Sequence, residues 1–297
     1  MSEIKLFRYG NTVAEELQAK GATIEKELQN VIEKNMYDFF GVRFLQSEYR
    51  IDNGRMDSIG IDENNCPVIF EYKCHSNENV INQGLFYLNW LLEHKANFKL
   101  LVIEKLGLKD AEEIDWSMPR VICIAGDFNK YDEEAIKQIN RNISLIRYKK
   151  FDKDLLLFEL LNTNTVAPLE TEEEVSTSKG TERTFIEQYE KAPQKIKALY
   201  DDIKMFTLSL GDDVSENTLK LYQAFKKIKN FVTMEIYQSK ILVNLKLNPD
   251  DFNLVDNLIR DMREIGCYGI KSLQCIVRNE KEMELAKDLI KKAYDNN

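Results

Sequence analysis

Three charged residues, Asp57, Glu71 and Lys73, interrupt two apolar, strand-like runs of the sequence. Side chains at positions i and i+2 of a strand share a face, so Glu71 and Lys73 are expected to point the same way. A hairpin turning around residues 62–66 would bring residue 57 opposite about residue 71. The pattern therefore predicts two carboxylates and one ammonium group side by side on neighbouring strands.

Such a cluster has the groups needed to hydrolyse a phosphodiester with a divalent metal. Two carboxylates facing each other repel unless a cation lies between them, and Mg²⁺ prefers such oxygen ligands. A nearby lysine can orient the attacking water or offset negative charge in the transition state. The alternative is an exposed hairpin on which Glu71 and Lys73 form a surface ion pair of little energetic value. The apolar run at 68–70 favours a central strand and therefore a site.

The stretch GRMDSIGIDENNCPVIFEYK, residues 54–73, resembles the core of the PD-(D/E)XK nuclease superfamily, and most closely the branch related to NucS-type endonucleases. The resemblance covers about residues 20–160 and includes QGLFYLNWL and PRVICIAGDFNKYDEEAIKQINRNISLIRY. Met56 stands where the name of the superfamily has proline. We find no match to the N-terminal DNA-binding domain of NucS-type enzymes. The resemblance implies a restriction-endonuclease-like α/β fold and a nuclease activity.

The resemblance also implies roles for the residues of the predicted hairpin. Asp57 and Glu71 would bind Mg²⁺ or Mn²⁺, with the backbone carbonyl of Tyr72 as a further ligand. Lys73 would position the attacking water. The expected substrate is nucleic acid, with DNA favoured, and the expected process is repair or defence.

Outside the hairpin, the resemblance implies that a glutamate of the first helix approaches the same site. Glu27 is the best match and Glu25 is the second choice. Gln83 and Tyr87 lie one helical turn apart and would contact the substrate; the alternative is that Tyr87 packs in the core while Gln83 fills a polar gap. Arg55 would bind phosphate or pair with the aspartate of the site.

The elements that must position these residues follow from the apolar periodicity and the turn residues. The first half is predicted to contain a helix at 23–35, strands at 42–51, 54–61 and 67–74, a helix at 78–95, strands at 98–104 and 120–126, a helix at 132–141, a strand at 143–148 and a helix at 153–162. The second half is predicted to contain a helix at 184–209, two strands within 231–247, a helix at 250–265 that Asp250 or Asp251 could cap, a strand at 269–279 and a helix at 280–295. Early antiparallel strands followed by strand–helix alternation predict a mixed sheet flanked by helices.

Composition divides the chain into two predicted domains. The polar segment 162–183 is rich in Thr, Ser and Glu and is interpreted as a linker between a nuclease-like domain, 1–161, and a small α+β domain, 184–297. The second domain resembles a small domain of unknown function that is found attached to such nuclease-like domains. Its basic cluster at 226–229 favours a solvated face over a phosphate contact.

Charge and cysteine content limit the classes of function. The net charge of −9 counts against broad, nonspecific binding of nucleic acid. The lack of a long apolar run or a signal-like N-terminus predicts a cytoplasmic protein with no membrane partner. Five scattered cysteines without a CxxC pair make a zinc site of the Cys/His type improbable. A nuclease fold that binds nucleic acid or a protein partner without cutting remains the alternative function, and a homodimer is compatible with either.

Overall fold

The protein forms two packed α/β units, seen in a computed structural model. The structure describes residues 4–10, 12–20, 25–73, 79–152, 154–164, 183–265 and 269–297. We call 4–164 the N-terminal unit and 183–297 the C-terminal unit. No described helix is both long and apolar enough to cross a bilayer.

The N-terminal unit is built on a mixed sheet. Its elements in chain order are β1 (Leu6–Gly10), β2 (Val13–Leu17), β3 (Ala19–Lys20), α1 (Glu25–Lys34), α2 (Met36–Phe40), β4 (Val42–Ile51), β5 (Gly54–Asp62), β6 (Pro67–Lys73), α3 (Val80–Glu93), α4 (Lys95–Leu106), α5 (Leu108–Glu112), β7 (Arg120–Ala125), α6 (Lys130–Ile136), β8 (Asn142–Phe151) and β9 (Leu155–Asn164). The sheet has the order β3-β8-β7-β6-β5-β4, with β9 also paired to β8, and β1 and β2 form a separate hairpin. Strands β4, β5 and β6 are antiparallel, whereas β6, β7 and β8 are parallel. The predicted mixed sheet flanked by helices is therefore confirmed.

Strand β6 runs through the middle of this sheet and has a core on each face. Phe70 and Tyr72 pack on the side of α1 and α2, where Phe40 contacts Phe70. Ile69 packs on the opposite side, in the cluster that includes α3 and α4. This alternation follows from the two-residue period of a strand. Glu71 lies within this strand, and its side chain is buried.

The predicted buried strand at 98–104 is wrong, because this run forms part of helix α4. Phe98 and Leu101 are buried, whereas Leu100 and Ile103 are exposed. Burial that repeats after three residues is the period of a helix. A seven-residue apolar run does not by itself distinguish a strand from a helix.

The predicted helix at 153–162 is also wrong. Residues 155–162 belong to β9, which pairs antiparallel with β8 along the length of both strands. The leucines of this segment have good helix propensity, but pairing with a distant strand overrides it. Helix α6 also ends earlier than predicted, at Ile136.

The C-terminal unit is an antiparallel sheet with helices on one face. Its elements are α7 (Phe185–Lys191), α8 (Gln194–Leu208), β10 (Ser215–Thr218), β11 (Gln223–Lys226), β12 (Asn230–Ile236), β13 (Ile241–Leu245), a 3₁₀ turn (Pro249–Asp251), β14 (Ile259–Asp261), β15 (Leu273–Val277) and α9 (Glu280–Asp295). The six strands have the order β10-β11-β12-β13-β15-β14. The three helices cover a continuous apolar core on one face of the sheet.

Two predictions for this unit need correction. The helix predicted at 184–209 is broken at Pro193, since the proline ring removes a backbone donor and keeps Ala192 extended. The helix predicted at 250–265 is wrong, because this segment contains the 3₁₀ turn and the short strand β14. Ile259 pairs with β15, whereas Leu254, Val255 and Ile265 are exposed, so the apolar residues do not line one helical stripe.

The predicted linker lies mostly outside the described residues. Its first three residues, 162–164, belong to β9, so the strand extends beyond the predicted end of the first domain. The start of the first predicted helix, residues 23–24, also lies outside the described residues.

Candidate functional site

The hairpin of β5 and β6 brings Asp57 and Glu71 together. The ladder pairs Ser58 with Phe70, so its register places residue 57 opposite residue 71. The backbone N–H of Asp57 lies 3.4 Å from Glu71 Oε1. The two carboxyl groups are also close enough to influence each other's pKa. We call Asp57 and Glu71 the carboxylate pair.

Asp57 also interrupts the ladder between the two strands. Its Oδ2 accepts the backbone N–H of Tyr72 at 3.0 Å, beyond the last paired residues. The N–H and C=O of one strand residue point to the same side, so the Tyr72 carbonyl lies on the edge that faces Asp57. Two carboxylates and one carbonyl are thus the oxygen atoms available to a hard cation here.

Burial controls the charge of the carboxylate pair. Glu71 is only 2% exposed, and burial, followed by the nearby Asp57, raises the pKa of Glu71 to about 9. Burial also raises the pKa of Asp57, although the Tyr72 N–H and Lys73 oppose this rise. The pair therefore retains a proton at neutral pH, although Lys73 lies near both carboxyl groups. This is the electrostatic environment that a divalent cation fits.

Lys73 lies next to the pair and is held from helix α1. Its side chain is mostly buried, and its Nζ lies 3.5 Å from Glu25 Oε1. Glu27 instead accepts from Lys150 at 2.9 Å, and its side chain is 56% exposed. Successive helical residues are about 100° apart, so residues 25 and 27 cannot both face the site. The structure thus brings Glu25, and not Glu27, to the site.

The sequence analysis missed a polar network that fixes α1 beside the carboxylate pair. The amide of Gln29 donates to the backbone carbonyl of Asp57 and to Glu33 Oε1, both at 2.8 Å. The Ser58 hydroxyl donates to Glu33 at 2.6 Å, and the Tyr72 hydroxyl donates to Ser58 at 3.1 Å. Gln29, Ser58 and Tyr72 are all buried. This network connects the helix to both strands of the hairpin.

The spacing along α1 is the signal that could have revealed this network. Glu25, Gln29 and Glu33 recur every four residues and so line one face of the helix. They lie beside the apolar positions Leu28 and Ile32, which are buried. Polar residues at this spacing on the edge of a buried stripe indicate partners inside the protein.

The three expected substrate contacts are placed differently from one another. The Arg55 side chain lies on the surface, where its Nη1 is 3.2 Å from Glu48 Oε2. Tyr87 is buried in the core; its hydroxyl accepts the backbone N–H of Arg55 at 3.3 Å, and its ring packs on Gly54, where a Cβ atom would approach within 2.7 Å. Gln83 is exposed near the start of α3. Tyr87 therefore supports the start of β5 from the core, whereas Gln83 is accessible from solvent.

Within the described ranges, no group of three or more His, Cys, Asp or Glu side chains is placed to hold a metal ion. A cation at the carboxylate pair would thus complete its coordination with backbone, water or substrate oxygen. Of the two histidines, His75 lies outside the described residues. His94 stacks on Trp90 with ring centroids 4.2 Å apart, which gives it a packing role.

Three comparisons relate the chain to known proteins. Residues 186–297 match the family described as a domain of unknown function, DUF5655. Over 302 aligned positions, the chain is 30% identical to an uncharacterized protein of Haemophilus influenzae, and the alignment covers 98% of this chain and 99% of the relative. A solved repair endonuclease from Pyrococcus abyssi is 18% identical with a TM-score of 0.29, over 43% of this chain and 49% of that one. The chain thus spans about half of the endonuclease, and this last likeness carries no argument about activity.

Proposed function

Since this chain belongs to the same family as the Haemophilus influenzae protein over nearly its whole length, we propose that such proteins hydrolyse phosphodiester bonds in DNA, in repair or defence. The site would be the carboxylate pair with Lys73, and the reaction would use Mg²⁺ or Mn²⁺. The buried, proton-holding pair is the observation that carries this proposal. A stable sheet has no need for two facing acidic groups at its centre, whereas a cation site does.

The positions of the side chains support the following proposed roles. Asp57, Glu71 and the Tyr72 carbonyl would hold the divalent ion, which would supply Lewis-acid polarisation of the phosphate. Lys73 would orient the attacking water and offset the negative charge that develops on the phosphate oxygens. Glu25 accepts from Lys73 and would keep the ammonium group directed to the site.

Cleavage of labelled DNA by the purified protein tests the proposal, with branched, mismatched and single-stranded substrates and with Mg²⁺ or Mn²⁺. Asp57→Asn, Glu71→Gln and Lys73→Met should each reduce the rate by about 100-fold or more, the range for loss of one stabilising group in a transition state. Glu27→Gln is the matched control, since Glu27 pairs with Lys150 away from the site. Full activity in Asp57→Asn or Lys73→Met would remove these residues from the mechanism. No binding of either ion in calorimetry would overturn the proposal.

The second candidate is a catalytically silent module that binds nucleic acid or a protein partner. The observation in its favour is that, among the described residues, no group of three or more His, Cys, Asp or Glu side chains is placed to hold a metal ion. This candidate predicts affinity for nucleic acid without cleavage in either metal, and the salt dependence of binding would give the number of phosphates engaged. Light scattering on the full chain would show whether a homodimer forms.

A further inference from the structure

The C-terminal unit holds the turn that connects β5 to β6. We call residues 62–66 the acidic turn. Within it, Asn64 Oδ1 accepts the Tyr222 hydroxyl at 3.0 Å and the Asn230 side-chain amide at 2.6 Å. All three of these residues are buried. A buried amide oxygen with two donors from the other unit is a specific contact, because losing either donor leaves a buried polar group less satisfied.

Glu63 of the acidic turn is bound from the C-terminal unit as well. Its Oε2 accepts the backbone N–H of Asn230 at 3.0 Å, and its Oε1 lies 2.8 Å from Lys246 Nζ. The Glu63 side chain is largely buried in this contact. Charge-assisted bonds of this kind are stronger than neutral ones when solvent is excluded.

The basic cluster seen in the sequence takes part in this contact. We call residues 226–230, between β11 and β12, the basic turn. Lys226 is buried near Asp62 and Arg120, and Lys229 donates to the backbone carbonyl of Asp38 at 2.6 Å. Lys227 lies over the ring of Tyr294 within its own unit. The prediction that this cluster forms a solvated face is therefore wrong, because the cluster packs against protein.

Apolar contacts accompany the polar ones. Cys66 of the acidic turn and Met118 form a buried cluster with Leu219, Tyr222 and Ala224 of the C-terminal unit. Ile228 of the basic turn packs on the core beneath α1 and α2. An acidic turn and a basic turn thus meet across a largely buried interface.

The acidic turn is preorganised for this contact. Asp62 Oδ1 accepts the backbone N–H groups of Asn64 and Cys66 at 2.9 and 3.0 Å. Asp62 Oδ2 also lies 3.4 Å from Arg120 Nε. Asn65 has a φ of 60°, which asparagine tolerates in tight turns.

We propose that the C-terminal unit is a docking module for the acidic turn, and that it fixes the register of the hairpin that carries Asp57 and Glu71. Between β5 and β6 the ladder pairs only 58–61 with 67–70. A slip of one residue in such a short ladder would turn one carboxylate to the opposite face and so separate it from the other. At 3.3 Å per residue, the acidic turn lies about 17 Å along the strands from the carboxylate pair. The C-terminal unit would therefore act on the site through the hairpin, without contacting the pair. This inference rests on the contacts alone and does not require that the site cuts DNA.

Hydrogen exchange on the full chain tests the docking role. Glu63→Lys places like charges beside Lys246 and should speed exchange in β5 and β6 by about tenfold or more, as expected for loss of a charged hydrogen bond. The reversed pair, Glu63→Lys with Lys246→Glu, should recover most of the protection. Tyr222→Phe removes one donor with little change of shape and should speed exchange about fivefold, for a bond worth about 1 kcal/mol; it serves if the charge variants fail to fold.

Asp250→Asn is the matched control, because Asp250 pairs with Arg263 within the C-terminal unit. It should leave exchange in β5 and β6 unchanged. Faster exchange confined to residues 62–66 in Tyr222→Phe and Glu63→Lys, or no recovery in the reversed pair, would overturn the proposal. Absence of DNA cleavage by the wild-type protein, with the expected exchange changes in the variants, would count against the proposed nuclease function alone.

Discussion

The proton held by the carboxylate pair gives the sharpest test of the site. Burial raises the pKa of Glu71 from 4.5 in the unfolded chain to about 9 in the folded protein. Between these values the folded state binds more protons than the unfolded state, so stability should fall as pH rises. Glu71→Gln has an uncharged side chain at every pH and should remove this slope.

The expected size follows from the linkage relation. Each pH unit in this window costs the wild-type protein about 1.4 kcal/mol, so by pH 7 the loss is about 3 kcal/mol relative to pH 4.5. Without divalent metal, Glu71→Gln should therefore be more stable than wild type by about 3 kcal/mol at pH 7 and about equal near pH 4.5. A loss of this size is a substantial fraction of the stability of a folded domain.

Urea unfolding at several pH values between 5 and 8, in EDTA and in Mg²⁺ or Mn²⁺, measures the difference. In metal the advantage of Glu71→Gln should shrink or reverse, because glutamine supplies no anionic ligand. Calorimetry in buffers of different ionisation enthalpy should show that wild type releases about one proton per bound ion at pH 7. Glu27→Gln should show the same pH dependence of unfolding and the same metal binding as wild type. A difference between wild type and Glu71→Gln that stays constant with pH in EDTA would refute the reasoning.

Three further outcomes are expected. Burial lowers the pKa of Lys226 from 10.5 to about 7. Between these pH values the unfolded state binds more protons than the folded state, so the melting temperature should rise with pH. Lys226→Met should abolish this rise. Gln29→Ala removes a buried donor to the Asp57 carbonyl and should cost about 1–3 kcal/mol in urea unfolding, with weaker metal binding in calorimetry. Leu101→Ala should cost about 2–5 kcal/mol, because Leu101 is buried in α4. Exposed Leu100→Ala should cost under about 0.5 kcal/mol, and equal losses at both positions would argue against the helix.

The site hairpin could be predicted because its signals are local. The two-residue period sets which side chains of 67–73 share a face, and the turn residues at 62–66 set the register. Both are confirmed in the structure, where the register of the ladder places residue 57 opposite residue 71. The closing helix at 280–295 is likewise confirmed, since its apolar stripe has the period of a helix.

The rest depends on contacts between distant segments. The choice between Glu25 and Glu27 needs the rotation of α1 about its axis, which packing on the sheet decides. The segment after β8 has a helix-like composition, and only its partner strand makes it a strand. The role of the basic turn was hidden because its partner, the acidic turn, lies more than 150 residues earlier in the chain.

The meeting of the acidic and basic turns also limits how the two halves can be exchanged between proteins. A C-terminal unit transplanted from a relative would have to carry donors that match Glu63 and Asn64 of the host. Where the two turns differ between relatives, a chimera needs both of them from the same parent. Domain shuffling in this family would therefore succeed or fail at a few turn residues, independently of the residues that do the chemistry.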